Sequence, residues 1–297
     1  MDKCQSGDQV VLTLVKNFDI GQILECGQAF RFHKVQDHVY VVIAFEKVLY
    51  VKQDQQTVYF YPCTLQEFEK IWHNYFDLTR DYDAIKETIA KNDVIMQQAV
   101  AFGSGIRLLN QDPYECLISF IVSQNNHIPR IKKIINQLST DHGQKLDDPY
   151  GGDFYGFPSW DKLNQLKIEE LMACNTGFRA KYIKDACHKI ATGEINLQAL
   201  VAQDETSARE QLMSIYGVGQ KVADCVLLFS LEKYATFPTD VWIKRVMEAL
   251  YFQGKPTPIS EIQRFSQEKW GANRGFAQQY LFHYAKENKI GAKKEDK

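Results

Sequence analysis

The segment Ile215-Tyr-Gly-Val-Gly-Gln-Lys-Val-Ala-Asp-Cys225 is the part of the chain whose residue types and spacing most directly suggest chemistry. Helical patterns flank Gly217-Val218-Gly219. Glycines at these positions allow a tight turn that leaves backbone N–H groups exposed. A helix starting there adds its own unpaired N–H groups, and a phosphate is the natural ligand of such a surface. The alternative is a plain glycine turn between packed helices. Lys221 follows Gly219 by two residues, in the first turn of the second helix. The positive end of a helix and partial burial both disfavour an ammonium there. A neutral amine is a nucleophile, whereas an ordinary surface lysine is not. Asp240, in Phe237-Pro-Thr-Asp-Val-Trp242, precedes an apolar-periodic helix. It reads either as a plain N-cap or as a fixed carboxylate beside developing positive charge. Cleavage of an N-glycosidic bond passes through an oxocarbenium-like sugar that such an anion stabilises.

Two kinds of element must position these groups. Gln9–Val15, His38–Ala44, Val48–Lys52 and Thr57–Tyr61 are rich in Val, Ile and Tyr and are separated by polar connectors, as in antiparallel hairpins. After Asp77 the pattern turns helical. From about Asp112 it predicts helices over ECLISFIVSQ, IPRIKKIINQLSTDHG, Ile168–Cys174, Ala180–Ala191, Ala208–Ile215 and Lys221–Leu231. Asp240–Tyr251, Ser260–Lys269 and Gly275–Glu287 complete the set. Strands first and helices second give an α+β fold, with an antiparallel-sheet domain over residues 1–109 and a mostly α-helical domain over residues 110–297. The tail GAKKEDK reads as a solvated terminus.

Composition narrows the function. The 297 residues carry 35 Lys+Arg against 37 Asp+Glu, a net charge of -2, so gripping DNA by bulk positive charge is excluded and local geometry must serve instead. Residues 1–100 hold 10 basic and 14 acidic side chains and the remainder is slightly basic, which points to the C-terminal part as the binding half. No apolar run approaches the ~20 residues of a membrane-spanning helix, so no membrane association is expected. The start shows no secretory signal, and seven scattered cysteines without a CxxC pair fit free thiols in an intracellular compartment. That compartment would be cytoplasm or nucleoid in a prokaryote and nucleus in a eukaryote. The histidines show no metal-ligand spacing, so neither a catalytic metal nor a cofactor is expected, while a cation held by hairpin carbonyls near Gly217–Gly219 stays open.

Gly217-Val218-Gly219, Lys221 and an aspartate 19 residues on closely resemble the helix-hairpin-helix/Gly-Pro-Asp (HhH-GPD) superfamily of DNA glycosylases, and within it the 8-oxoguanine DNA glycosylase/lyases. Further matches are CGQAFRF (Cys26–Phe32), QDPYECLISFIVSQNNHIPRI (Gln111–Ile131), YGFPS (Tyr155–Ser159), TGFRAKY (Thr176–Tyr182), VADC (Val222–Cys225) and GFAQQYLF (Gly275–Phe282). The absence of any cysteine after Cys225 excludes the superfamily's iron–sulfur cluster. Lys221 sets the chain apart from the alkyl-base glycosylases, which keep the aspartate alone.

The resemblance implies a bifunctional enzyme, acting as a monomer on double-stranded DNA. Lys221 would attack the sugar of 8-oxoguanine paired with cytosine and form a Schiff base, with Asp240 stabilising the cationic transition state. β-Elimination would then nick the strand. The family places the damaged base between Cys225 and Phe282, with Gln278 on its Watson–Crick edge and the Gly27 carbonyl at N7–H. Lys221 and Cys225, like Gln278 and Phe282, are four residues apart and share a helix face. Without the family, Cys225 and Phe282 read as core residues, Gln278 as a surface amide and Gly27 as a bend in a strand. Asn125, Arg130 and Arg179 match positions that contact the orphaned cytosine, and Phe178 matches the wedge that fills the vacated stack. The alternative is that Asn125 and Asn126 end a helix while the arginines meet phosphate or solvent. Trp242 replaces a histidine common among relatives, and Pro129 falls within the cytosine-reading segment. Two other functions stay open: a related glycosylase for another damaged base, and a non-catalytic helix-hairpin-helix DNA-binding protein.

Overall fold

The computed structural model describes residues 1–292, so the charged tail from Lys293 onward lies outside the described residues. Six strands, β1 (Asp2–Ser6), β2 (Gln9–Thr13), β3 (Phe32–Gln36), β4 (Val39–Ala44), β5 (Lys47–Asp54) and β6 (Thr57–Tyr61), form one antiparallel sheet in the order β1-β2-β6-β5-β4-β3. In β2 and β6 only alternate residues are buried, with Val10, Leu12, Val58 and Phe60 facing the core. β4 is buried along its whole length because both of its faces are covered. Tyr40, Val42 and Ala44 join the main sheet core, while Val41 and Ile43 meet Leu146 and Phe154 on the other side.

The helices that matter for the site are α1 (Ile20–Glu25), α2 (Tyr82–Ala90), α3 (Val94–Phe102), α4 (Pro113–Ser123), α5 (Ile128–His142) and α6 (Ile168–Ala173). They continue with α7 (Ala180–Ala191), α8 (Glu205–Met213), α9 (Gln220–Ser230), α10 (Val241–Tyr251), α11 (Ile259–Trp270) and α12 (Arg274–Glu287). α4 starts on Pro113, with the Asp112 side chain accepting from the Glu115 N–H at 2.8 Å, and Cys116–Val122 are buried without interruption. α9 is equally enclosed from Val222 to Ser230 and packs on α4, where the Phe120 and Phe229 rings stack 5.5 Å apart. These two apolar helices are the axis of the helical core, with the amphipathic helices α5, α7 and α10 packed around them.

The helical core also takes in Tyr82, Ile85, Ile89, Met96 and Ala99 from α2 and α3, which precede residue 110 in the chain. The division into residues 1–109 and 110–297 therefore stays a proposal about sequence rather than a description of packing. Predicted strands and helices recur within a few residues of their expected ends. β1, β3, α1 and α3 were not expected: β1 is fully exposed, β3 buries only Phe32, α1 is six residues long, and α3 follows the helical stretch that starts after Asp77. Among the described residues, no helix is long and apolar enough to cross a membrane.

Candidate active site

The Gly217–Gly219 turn joins α8 to α9. Gly217 has φ +79°, and a Cβ there would stand 2.4 Å from the Tyr182 ring, so the position requires glycine on two counts. Val218 is buried and anchors the turn, and the Tyr216 N–H donates to Asp185 at 2.7 Å. Gly219 is the N-cap of α9 with φ -94°, and a Cβ there would meet nothing within 4 Å among the described residues. The side of the turn at Gly219 is thus open, as a backbone-reading surface requires. Behind the turn, Arg209 of α8 donates to the buried Asp224 of α9 at 2.7 Å and fixes the angle between the two helices.

Lys221 is the second residue of α9 and projects into a cleft. Its Nζ donates to Ser123 Oγ at 3.1 Å and lies 5.2 Å from the centre of the Phe120 ring. Ser123 ends α4 and donates its own proton to the Phe120 carbonyl at 2.7 Å, so its oxygen is oriented to accept from the lysine. Asp240 lines the same cleft and caps α10, its Oδ1 accepting from the Ile243 N–H at 2.8 Å. Both readings of Asp240 therefore hold: one oxygen caps the helix while the carboxylate borders the space in front of Lys221. Cys225 lies one turn below Lys221 in the same cleft, and burial pushes its thiol up to about 12, leaving an uncharged wall.

The opposite wall comes from α1 and α12. Gly27 follows α1 with φ +83°, and its hypothetical Cβ would sit 2.9 Å from the Phe282 ring. It is a helix exit rather than the bend in a strand. The residues on both sides of it are held. Gln279 Nε2 donates to the Cys26 carbonyl at 2.8 Å. The fully buried Gln28 side chain donates to the Ile23 and Arg107 carbonyls at 2.8 Å each and accepts from the Leu109 N–H at 2.9 Å. Gln278 is buried, not a surface amide, and its Oε1 has no hydrogen-bond partner among the described residues. A buried amide oxygen facing a cleft without a partner is uncomfortable unless a ligand supplies a donor. Gly27, Lys221, Cys225, Asp240, Gln278 and Phe282 all border this one cleft. Ser123, Gln28 and Gln279 are supports that the sequence reasoning did not single out, although each lies within a quoted motif.

The second group stands at the rim. Asn125 is exposed in the left-handed region, φ +48°, just after α4 ends, and Arg130 is exposed in the first turn of α5. Phe178 is half exposed and edge-on to Tyr182 at 5.7 Å. Arg179, the remaining residue matched to the cytosine contacts, stands beside Phe178. It is buried, and its guanidinium donates to the Gln124 carbonyl at 2.9 Å, the Asn125 carbonyl at 3.0 Å and the Thr176 carbonyl at 3.3 Å. Its planar fork ties the Phe178 segment to the turn that carries Asn125. Trp242 is partly buried, with its indole N–H enclosed and unpartnered among the described residues. Val218 supports the hairpin from inside and Gly217 packs on the Tyr182 ring, while Gly219 is exposed at its surface. Metal-ligand side chains are grouped elsewhere, at Asp141, His142 and Cys174, none of which borders the cleft.

Residues 10–117 match the 8-oxoguanine DNA glycosylase N-terminal domain, and residues 118–272 match the HhH-GPD superfamily base excision DNA repair proteins. The chain is 30% identical over 245 residues to a probable N-glycosylase/DNA lyase of Methanothermobacter thermautotrophicus, covering 75% of each chain. It is 35% identical over 188 residues to an N-glycosylase/DNA lyase of Arabidopsis thaliana, covering 60% of this chain and 51% of that one, about half its length. Among solved structures it resembles the Clostridium acetobutylicum 8-oxoguanine glycosylase/lyase in complex with double-stranded DNA containing cytosine opposite 8-oxoguanine. That likeness has a TM-score of 0.94 and 43% identity, and covers 98% of this chain and 99% of that chain.

Proposed function

Because the chain belongs to the HhH-GPD superfamily of base excision DNA repair proteins, we propose that it removes 8-oxoguanine paired with cytosine from duplex DNA and nicks the strand through a lysine Schiff base. The observation that carries this reading is the meeting of Lys221, Asp240 and the unpartnered Gln278 amide oxygen in one cleft. A DNA clamp needs none of the three, which disfavours a non-catalytic binding protein.

The open N–H groups around Gly219 take a backbone phosphate, and the damaged nucleotide turns out of the helix into the cleft. Flipping replaces the base's stacking and pairing with pocket contacts. The base lies between Phe282 and the neutral Cys225 thiol. Gln278 pairs with its Watson–Crick edge, and its free Oε1 accepts from the base. 8-Oxoguanine carries N7–H where guanine carries a lone pair. The Gly27 carbonyl accepts from the first and repels the second, and an unmade polar contact in a dry site costs about 1–3 kcal/mol. Lys221, as the free amine, attacks C1′ while the bond to the base breaks. The Asp240 carboxylate stabilises the positive charge that builds on the sugar. Loss of the base and opening of the sugar leave an imine between Nζ and C1′. Removal of a C2′ proton then expels the 3′ phosphate. Phe178 fills the gap left in the stack, and Asn125, Arg130 and Arg179 meet the orphaned cytosine, with Arg179 also holding the turn that presents Asn125.

A panel of duplexes tests the substrate assignment. With 8-oxoguanine, guanine and an alkylated purine each placed opposite the four normal bases, single-turnover excision is expected to be fastest for 8-oxoguanine opposite cytosine. Undamaged guanine should react at least about tenfold more slowly, the lower part of the range that the N7 contact alone supplies. Faster release of the alkylated base would instead assign the chain to a related glycosylase for another lesion.

A further inference from the structure

Away from the cleft, three side chains of metal-ligand type meet at the ends of two helices. Asp141 and His142 close α5, and Cys174 caps the C-terminus of α6. Their ligand atoms all lie within 4.8 Å of one another. Cys174 Sγ is 3.6 Å from Asp141 Oδ2 and 3.6 Å from His142 Nε2. Tetrahedral zinc binds thiolate sulfur at about 2.3 Å, imidazole nitrogen at about 2.0–2.1 Å and carboxylate oxygen at about 2.0–2.2 Å, which sets S···N and S···O separations near 3.6 Å. Both observed separations from the sulfur have that length.

We propose that Asp141, His142 and Cys174 form a binding site for a zinc-class divalent metal ion, with water completing the tetrahedron. The donor set selects against magnesium and calcium, which take oxygen ligands alone, and in favour of zinc or its softer neighbours. Gln137, one turn back on α5, donates to both Asp141 oxygens at 2.8 Å and holds the carboxylate in place, as outer-shell partners of metal ligands do. Cys174 is fully buried while Asp141 is exposed, so the cluster is enclosed on one side and reachable from solvent on the other. Binding converts the Cys174 thiol, which donates to Asp141, into a thiolate; its proton leaves to solvent and the ion takes its place between the two side chains.

The site has a structural consequence. α5 carries Arg130 in its first turn and lines the cleft with Ile128 and Ile131, while Cys174 precedes Phe178 by four residues. A metal at this place clips the far end of α5 to the root of the Phe178–Arg179 segment. It takes no part in the chemistry of Lys221.

Cobalt(II) titration of the metal-free, full-length chain tests the proposal, because a thiolate ligand gives cobalt a charge-transfer band in the near ultraviolet. The expected result is saturation at one equivalent, displacement of the band by zinc, and a rise in melting temperature on adding zinc. Cys174→Ser should remove the band. His142→Ala, at a partly exposed position that leaves Cys174 in place, should weaken cobalt binding by at least about tenfold, the cost even of losing an outer-shell partner. No band with the intact chain overturns the proposal and leaves a purely hydrogen-bonded cluster. An unchanged band in Cys174→Ser, or unchanged affinity in His142→Ala, overturns it by placing the metal on other side chains.

Discussion

Asp240 joins two duties that a single replacement by alanine would confuse. Its Oδ1 caps α10 while the carboxylate faces the Lys221 cleft. Asparagine caps a helix about as well as aspartate, so Asp240→Asn should leave stability within about 1 kcal/mol of the parent. If the charge stabilises an oxocarbenium-like sugar, the same variant should lose on the order of a hundredfold in single-turnover excision, the scale of removing one preorganised electrostatic partner. Parallel denaturation and excision assays check both halves, and unchanged excision would reduce Asp240 to a cap. At this scale the sequence was informative about identity but not about surroundings. Spacing alone put Lys221 with Cys225 and Gln278 with Phe282 on common helix faces, and each pair does share the cleft. That Arg179 spends its guanidinium on the carbonyls of Gln124 and Asn125 was not legible, because they are 55 and 54 residues away and nothing local records their contact. The Asp141–His142–Cys174 cluster escaped for the same reason: its members are brought together by helix packing, not by a motif.

Among the elements, the hairpin gives the sharpest contrast. Its glycines look alike in sequence but stand in different surroundings. Gly217→Ala puts a Cβ 2.4 Å from the Tyr182 ring at φ +79°, where the backbone alone costs an L-residue about 1–2 kcal/mol. Gly219→Ala puts its Cβ in open space at an ordinary φ and should cost within about 1 kcal/mol through the weaker N-cap. Thermal denaturation should therefore separate the variants, while Gly219→Ala weakens DNA binding by narrowing the approach to the N–H groups. Equal melting temperatures for the two would contradict the packing of Tyr182 against the turn. Long helices and half-buried strands were readable from periodicity, since α4, α5, α7 and α9 each bury a continuous stripe or their whole surface. β1 was not, because DKCQS has no apolar alternation and takes its strand form from pairing with β2. α1 is too short for a helical period to register, yet it is the element that delivers Gly27.

For the molecule as a whole, the sheet and the helices are joined by buried polar contacts as well as apolar packing. Gln28 bridges α1 to the backbone at Arg107 and Leu109, and Arg31 meets Glu115 of α4 at 3.2 Å while also donating to the Tyr155 carbonyl. Burial pushes Glu115 up to about 7, reinforced by Asp112 and Glu46 and opposed by the Arg31 guanidinium. Because the folded state holds this proton more tightly than the unfolded chain, the group's contribution is complete below the ordinary glutamate range. It declines as pH rises and is lost above about 7. Glu115→Gln should therefore gain on the parent between about pH 5 and pH 8 in denaturant unfolding, whereas an equal gap at both pH values would contradict the raised value. The α+β order of the chain was legible because composition changes sharply after Asp77. The sharing of α2 and α3 with the helical core was not, since tertiary packing alone decides which core a helix joins. The central claim is that one amine in this fold becomes bonded to deoxyribose. Borohydride reduction during turnover of an 8-oxoguanine:cytosine duplex, followed by peptide mapping of the trapped complex, tests it most directly. The account predicts a covalent adduct mapping to Lys221 and absent in Lys221→Gln; no adduct, or one that persists in that variant, would contradict it.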